Sequence, residues 1–148
     1  MKIAFGSDHA GYEYRQMLMA HARELGHEVI DYGTFSKESC DYPVYGHAVG
    51  AAVANGEADR GILVCGTGFG ISLAAGNVKG VRAICCSDIY TARLTREHNN
   101  ANVLALGSMV VGEGLALDLI DAFLNAKFEG GRHQRRLDML DEIRARNA

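Results

Sequence analysis

The chain has no tryptophan, a single proline and four cysteines in 148 residues. The cysteines, Cys40, Cys65, Cys85 and Cys86, make no C-x-x-C pair and are too sparse for a disulfide-stapled scaffold, so reduced thiols are expected. An excess of either sign of charge is lacking too. The net charge is −3, which removes any general pull toward nucleic acid or an anionic membrane, and neither is expected as a partner. A phosphate site would have to be built locally. No run approaches the ~20 apolar residues that cross a bilayer. Met1–Gly11 lacks the basic start and long apolar stretch of a secretion signal, so a cytoplasmic location is expected. No internal repeat, low-complexity tract or Gly/Ser linker divides the chain.

What is present, 48% hydrophobic and 22% charged residues, suits one globular domain over residues 1–148, with 127–148 as a C-terminal arm and helix. Short β-rich runs at Lys2–Phe5, Val29–Tyr32, Gly61–Cys65, Val81–Cys86 and Val103–Leu106 alternate with helical stretches. That alternation predicts an α/β fold, a Rossmann-like three-layer sandwich around a five-stranded parallel sheet. Tyr14, Met17, Leu18 and Leu25 recur at roughly helical spacing, as do Leu115, Leu119, Ala122 and Phe123. Residues 33–43 hold the only proline and read as a long loop after the second strand. In such sheets ligands bind beyond the carboxyl ends of the strands, so the residues after each run are the informative ones.

After the first strand, Gly6-Ser7-Asp8-His9-Ala10-Gly11 places a carboxylate beside an imidazole; the alternative is that Asp8 caps a helix and His9 is merely exposed. After the third comes Cys65-Gly66-Thr67-Gly68-Phe69-Gly70-Ile71-Ser72. Its alternating glycines let backbone N–H groups turn inward before a helix, an anion-binding nest that can hold phosphate or an enediolate. Cysteines are usually small buried hydrophobes, but one at a helix start among oriented amides is a candidate acid/base group. After the fourth strand a helix ends in His98-Asn99-Asn100; either Asn99 or Asn100 terminates the helix left-handed while His98 caps its carbonyls, or the same residues hold a sugar hydroxyl. Near the C-terminus, Arg132 and Arg136 share one face at a helix start. Cations are disfavoured there unless an anion compensates them, and a phosphate monoester is the natural guest; pairing of Arg136 with Asp138 or Asp141 is the alternative.

GSDHAG at 6–11, DYP at 41–43, GILVCGTGFGIS at 61–72, TREHNNANVLALGS at 95–108 and FEGGRHQRR at 128–136, in this order, resemble the ribose-5-phosphate isomerase type B family, which includes the galactose-6-phosphate isomerase subunits. The resemblance implies a homodimer or tetramer whose sites are shared between subunits, a phosphorylated sugar as substrate, and no metal or organic cofactor. By similarity, Asp8 and His98 assist opening of the sugar ring, Cys65 moves the proton between C2 and C1, and Thr67 shuttles the hydroxyl proton. The amides of Gly66, Gly68 and Gly70 hold the enediolate, His9, Arg132 and Arg136 surround the phosphate, and Tyr42, Ser72 and Asn99 line the sugar. One branch of the family lacks the cysteine and places a glutamate base where this chain has Ile71, so the chain fits the cysteine-base branch. It departs from the family at Met109, where an arginine is common.

The expected activity is therefore interconversion of ribose 5-phosphate and ribulose 5-phosphate through a cis-enediolate, with allose or galactose 6-phosphate or a tetrose 4-phosphate as alternative substrates. A nucleotide-binding module is the rival from another class. Against it, the first strand-to-helix turn lacks G-x-G-x-x-G and the chain has no G-x-x-x-x-G-K-[ST].

Overall fold

The computed structural model describes residues 1–148. Five parallel strands, β1 (Lys2–Ser7), β2 (Glu28–Asp31), β3 (Arg60–Cys65), β4 (Ala83–Cys85) and β5 (Val103–Gly107), form one sheet in the order β2-β1-β3-β5-β4. A 3-10 turn at His9–Gly11 leads into α1 (Tyr12–Glu24). The other helices are α2 (Tyr42–Ala54), α3 (Phe69–Gly76), α4 (Ile89–Glu97), α5 (Glu113–Asn125) and α6 (Arg132–Arg146).

Strand alternation divides the core between two faces. Ile3, Phe5, Ile62, Val64, Leu104 and Leu106 pack with Leu18 of α1, Ala92 of α4 and Phe123 of α5. Ala4, Leu63, Cys65, Val103 and Ala105 pack with Val49 of α2 and Ile71 of α3. Burial on both faces is why the strands read as continuous apolar runs rather than alternating ones. On the second face α2 lies close to α3: a Cβ on Gly46 would stand 2.7 Å from the Ile71 carbonyl oxygen.

Two expectations need correction. The fourth strand keeps only Ala83–Cys85 of Val81–Cys86, because it is an edge strand and the Val81 amide closes a turn onto Val78 instead. The loop after β2 stops at Asp41, since Pro43 sits in the first turn of α2, where its missing N–H costs no helical bond. α2 carries little periodic signal because small apolar residues surround it on all sides.

The strand order changes direction between β1 and β3, and the crevice expected at such a switch point opens above their carboxyl ends. Ser7 is in register with Val64, so Asp8 and Cys65 emerge there as neighbours. α6 lies at the opposite, amino-terminal edge of the sheet. It is tied there by Arg82–Asp141 at 3.0 Å, by Arg144 Nη2 donating to the Gly76 carbonyl at 3.0 Å, and by the Glu129 amide donating to the Glu97 carbonyl at 2.9 Å. Within α6 only His133 and Leu137 are buried. No helix is long and apolar enough to cross a membrane.

Candidate functional site

The carboxyl edge gathers Asp8, His9, Tyr42, Cys65, Gly66, Thr67, Gly68, Gly70 and Ser72. Three strand ends are stitched together by short bonds. The Ser108 amide donates to the Cys65 carbonyl at 2.9 Å, the Met109 amide to the Gly66 carbonyl at 3.0 Å, and Ser108 Oγ to the Ala10 carbonyl at 2.8 Å. The 3-10 turn is pressed onto β3 so closely that a Cβ on Gly11 would stand 2.4 Å from the Val64 carbonyl oxygen. Backbone, not flexible side chains, therefore sets the distance between Asp8 and the glycine loop.

Within that loop Gly68 has φ of 86°, a left-handed conformation that aims its amide back at Cys65. The N–H donates to Cys65 Sγ at 3.1 Å. Cys65 is 5% exposed and faces the α2–α3 layer. Burial and the neighbouring Cys86 and Cys65 push the Cys85 thiol up to about 11, and burial raises Cys86 as well, so both stay protonated near neutral pH. Thr67 Oγ1 accepts from the Phe69 amide at 3.2 Å, which leaves its hydroxyl proton free to donate. The Tyr42 ring lies against the loop, with its Cζ 2.6 Å from a Cβ built on Gly70. Ser72, half-buried, donates its amide to the Gly68 carbonyl at 3.2 Å.

Asp8 does what the capping alternative anticipated: Oδ1 accepts from the amides of Ala10 and Gly11 at 3.0 and 3.2 Å. Both bonds fall on Oδ1, so Oδ2 stays available. The Cys40 amide donates to His9 Nδ1 at 3.2 Å. In the neutral ring this leaves the proton on Nε2, a donor suited to phosphate. Met109 is 80% exposed, and its sulfur stands 3.4 Å from a Cβ built on Gly66.

The remaining predicted residues are elsewhere in the chain. His98 and Asn99 follow the end of α4, and Arg132 and Arg136 open α6, all at the amino-terminal edge. A strand of five or six residues separates the edges, roughly 15–20 Å at ~3.3 Å per residue. Asn100, at φ of 48°, is the left-handed helix terminator. His98, Asn99, His133, Arg136 and Leu137 border a cleft of about 430 Å³. Arg132 and Arg136 have no carboxylate within ion-pair reach, because Asp141 is taken by Arg82 and Asp138 by Gln134. They remain available to an anion. A larger groove of about 500 Å³ between α4 and α5 is lined by Glu97, Asp118 and Asp121 against one arginine, Arg93, and suits no phosphate.

Sequence reasoning missed two residues here. His133 is 6% exposed and stacks on His98 with ring centroids 4.1 Å apart. Glu129 reaches toward both rings, 3.4 Å from His133 and 3.8 Å from His98. The signal available was the spacing of Glu129 and His133, one helical turn apart, although Glu129 precedes the helix.

The profile of the family described as Ribose/Galactose Isomerase matches residues 3–140. The chain is 54% identical to Ribose-5-phosphate isomerase B of Escherichia coli (strain K12) over 145 residues, 98% of this chain and 97% of that one. It is similar to the structure of Clostridium thermocellum Ribose-5-Phosphate Isomerase B with a TM-score of 0.98 at 51% identity, covering 100% of both chains. Ribose-5-phosphate Isomerase B from Mycoplasma genitalium, solved with bound Ribulose-5-phosphate, matches with a TM-score of 0.93 at 40% identity, over 97% of this chain and 96% of that one.

Proposed function

Given that the chain belongs to the Ribose/Galactose Isomerase family, we propose that this sugar-phosphate isomerase interconverts ribose 5-phosphate and ribulose 5-phosphate, with Cys65 as the base. The observation that carries the choice of base is the Gly68 amide directed at Cys65 Sγ at the strand-order switch point. The relative solved with ribulose-5-phosphate supports the substrate.

In the proposed reaction the Cys65 thiolate takes the C2 proton of the open-chain aldose. The bonding pair moves into C1=C2 and charge develops on O1, which the amides of the Gly66–Gly70 loop stabilise by donating hydrogen bonds. Thr67 relays the O2–H proton to O1. The thiol then returns its proton to C1, leaving a carbonyl at C2. Asp8, through Oδ2, and His98 exchange the protons that open the ring, while His9, Arg132 and Arg136 hold the phosphate and Tyr42, Ser72 and Asn99 border the sugar.

His98 and the arginines stand a sheet's height from Cys65 in their own chain, so the site is proposed to form between two copies of the domain 1–148. One copy gives the glycine-loop edge and the other its 127–148 arm. Large apolar side chains left exposed near both half-sites, Phe69 (64%) and Leu73 (68%) on α3 and Met139 (56%) and Leu140 (54%) on α6, support such an assembly. The test is kcat/KM measured across ribose 5-phosphate, allose and galactose 6-phosphates and erythrose 4-phosphate. A preference for the six- or four-carbon sugar reassigns the substrate, and no turnover of any sinks the isomerase reading of the site.

A further inference from the structure

The backbone bond from Glu129 to Glu97 does more than anchor the arm, because it brings three metal-competent side chains to one point. One ligand atom from each of His98, Glu129 and His133 lies within 4.8 Å of the other two. The two carboxylate-to-nitrogen distances are 3.4 and 3.8 Å. Around a four-coordinate zinc with bonds of ~2.0–2.1 Å, neighbouring ligand atoms stand roughly 3.3 Å apart. The two edges from Glu129 are thus within about half an ångström of a metal tetrahedron's, and the edge between the two histidines, bounded by 4.8 Å, is the one that must shorten. An independent observation points the same way: His133 is 6% exposed, yet its Nε2 is buried with no hydrogen-bond partner while facing Glu129. A buried polar atom left in that state normally has a guest or a cost.

We propose that His98, Glu129 and His133 form a site for a divalent, nitrogen-preferring cation of the zinc class, and that its occupation reversibly inhibits the enzyme. Two imidazoles and one carboxylate are the donor set such ions select, whereas magnesium and calcium prefer oxygen. Both rings must offer lone pairs. The rings now stack, 11° from parallel, and meeting one ion requires them to splay about χ2, a soft two-fold torsion. Arg132 and Arg136 oppose a dication, so the ion exchanges readily and acts as an inhibitor rather than a resident cofactor. Inhibition follows because an ion held by His98 occupies the side chain proposed to exchange protons with the sugar. That consequence rests on the role proposed for His98; the site itself does not.

The experiment is calorimetric titration of the metal-free full chain with zinc chloride, for wild type and for Glu129→Gln, His133→Ala and Cys40→Ala. One ion per chain is expected, with affinity lowered at least tenfold by Glu129→Gln and by His133→Ala and left unchanged by Cys40→Ala. Magnesium should not bind. Because His133 roots α6, circular dichroism accompanies its variant, and the exposed Glu129→Gln keeps the test valid if His133→Ala unfolds. Undiminished zinc affinity in Glu129→Gln overturns the site, as does affinity that disappears with Cys40→Ala. In parallel, isomerase activity should fall with zinc, return with EDTA, and require about tenfold more zinc for inhibition in Glu129→Gln. Zinc bound at the trio without loss of activity overturns the inhibition and, with it, the role of His98, while leaving the site in place. Inhibition that is insensitive to Glu129→Gln means that the ion acts elsewhere and overturns the proposal.

Discussion

The amide of Gly68 donates to the sulfur of Cys65 at 3.1 Å, and the left-handed turn that makes this possible is itself wedged under β5. A Cβ on Gly68 would stand 2.7 Å from Cys85 Sγ and 2.8 Å from the Leu106 carbonyl carbon. The group that orients the Cys65 sulfur is thereby fixed by core packing.

Replacing Cys65 by alanine should lower kcat by about 10²–10⁴-fold, the usual contribution of a positioned acid/base group. Circular dichroism should stay unchanged. Cys85→Ala and Cys86→Ala should leave kcat within a few-fold, because burial keeps both thiols protonated. A folded Cys65→Ala enzyme with near-wild-type turnover would remove Cys65 from the mechanism.

The two glycines on either side of Phe69 should respond differently to alanine. At Gly68 the positive φ and the crowding are both backbone problems, so Gly68→Ala should cost about 1–3 kcal/mol and lower Tm by several degrees. At Gly70 the obstruction is the ring of Tyr42, an exposed side chain that can move. Gly70→Ala should therefore keep its Tm and raise KM, since the displaced ring borders the proposed sugar position. Differential scanning calorimetry alongside steady-state kinetics decides; equal Tm losses with KM unchanged would make the Tyr42–Gly70 contact structural only.

Met109 lies over Gly66 and is 80% exposed, so its substitution should not disturb the fold. An arginine there would set a guanidinium at the mouth of the glycine loop. Charge-assisted bonds to phosphate contribute about 1.5–3 kcal/mol when well formed, and at so exposed a position the expected gain is at the low end, about a tenfold lower KM for ribose 5-phosphate. Unchanged kinetics for Met109→Arg would show that the position does not reach the phosphate.

Much of this was legible in the sequence, for identifiable reasons. The sheet could be read because Ile62–Val64 and Val103–Leu106 are buried on both faces and so stand out as apolar runs. Cys65 could be singled out because glycines flanked it where a helix had to begin. α2 was hidden, its glycines at Gly46 and Gly50 serving close approach to α3 rather than amphipathic spacing. The pairing of His98 with His133 was hidden for another reason: it depends on one long-range backbone bond, Glu129 to Glu97, that no local pattern encodes.

Stability should also carry the mark of His133. Burial, then His98 and Arg132, lower its pKa from an ordinary 6.5, with Arg136 adding to the effect and Glu129 opposing it. The unfolded chain then binds the proton more readily than the folded one. Stability is complete above pH ~6.5 and declines as the pH falls through that value toward the lowered one. His133→Gln should flatten the dependence of Tm on pH over this window relative to wild type, and the comparison cancels the parallel contribution of His27, which burial also lowers. Identical slopes would mean that His133 takes up its proton as readily in the folded chain as in the unfolded one.

The strongest consequence of the split between sheet edges is that two inactive variants should rescue one another. Cys65→Ala spoils the glycine-loop half of every site, and Arg136→Ala spoils the arm half. Each homodimer carries two sites with one damaged half and should be nearly inactive. A mixed dimer places both lesions in one site and leaves the other intact. After joint denaturation and refolding of equal amounts, half of the randomly paired dimers should be mixed, restoring about a quarter of wild-type activity. Were the site contained within one chain, mixing would restore nothing, so activity no higher than the sum of the separate variants would refute the shared site. Arg136 is exposed and free of ion pairs in the chain, so its removal tests substrate binding without a penalty to the fold.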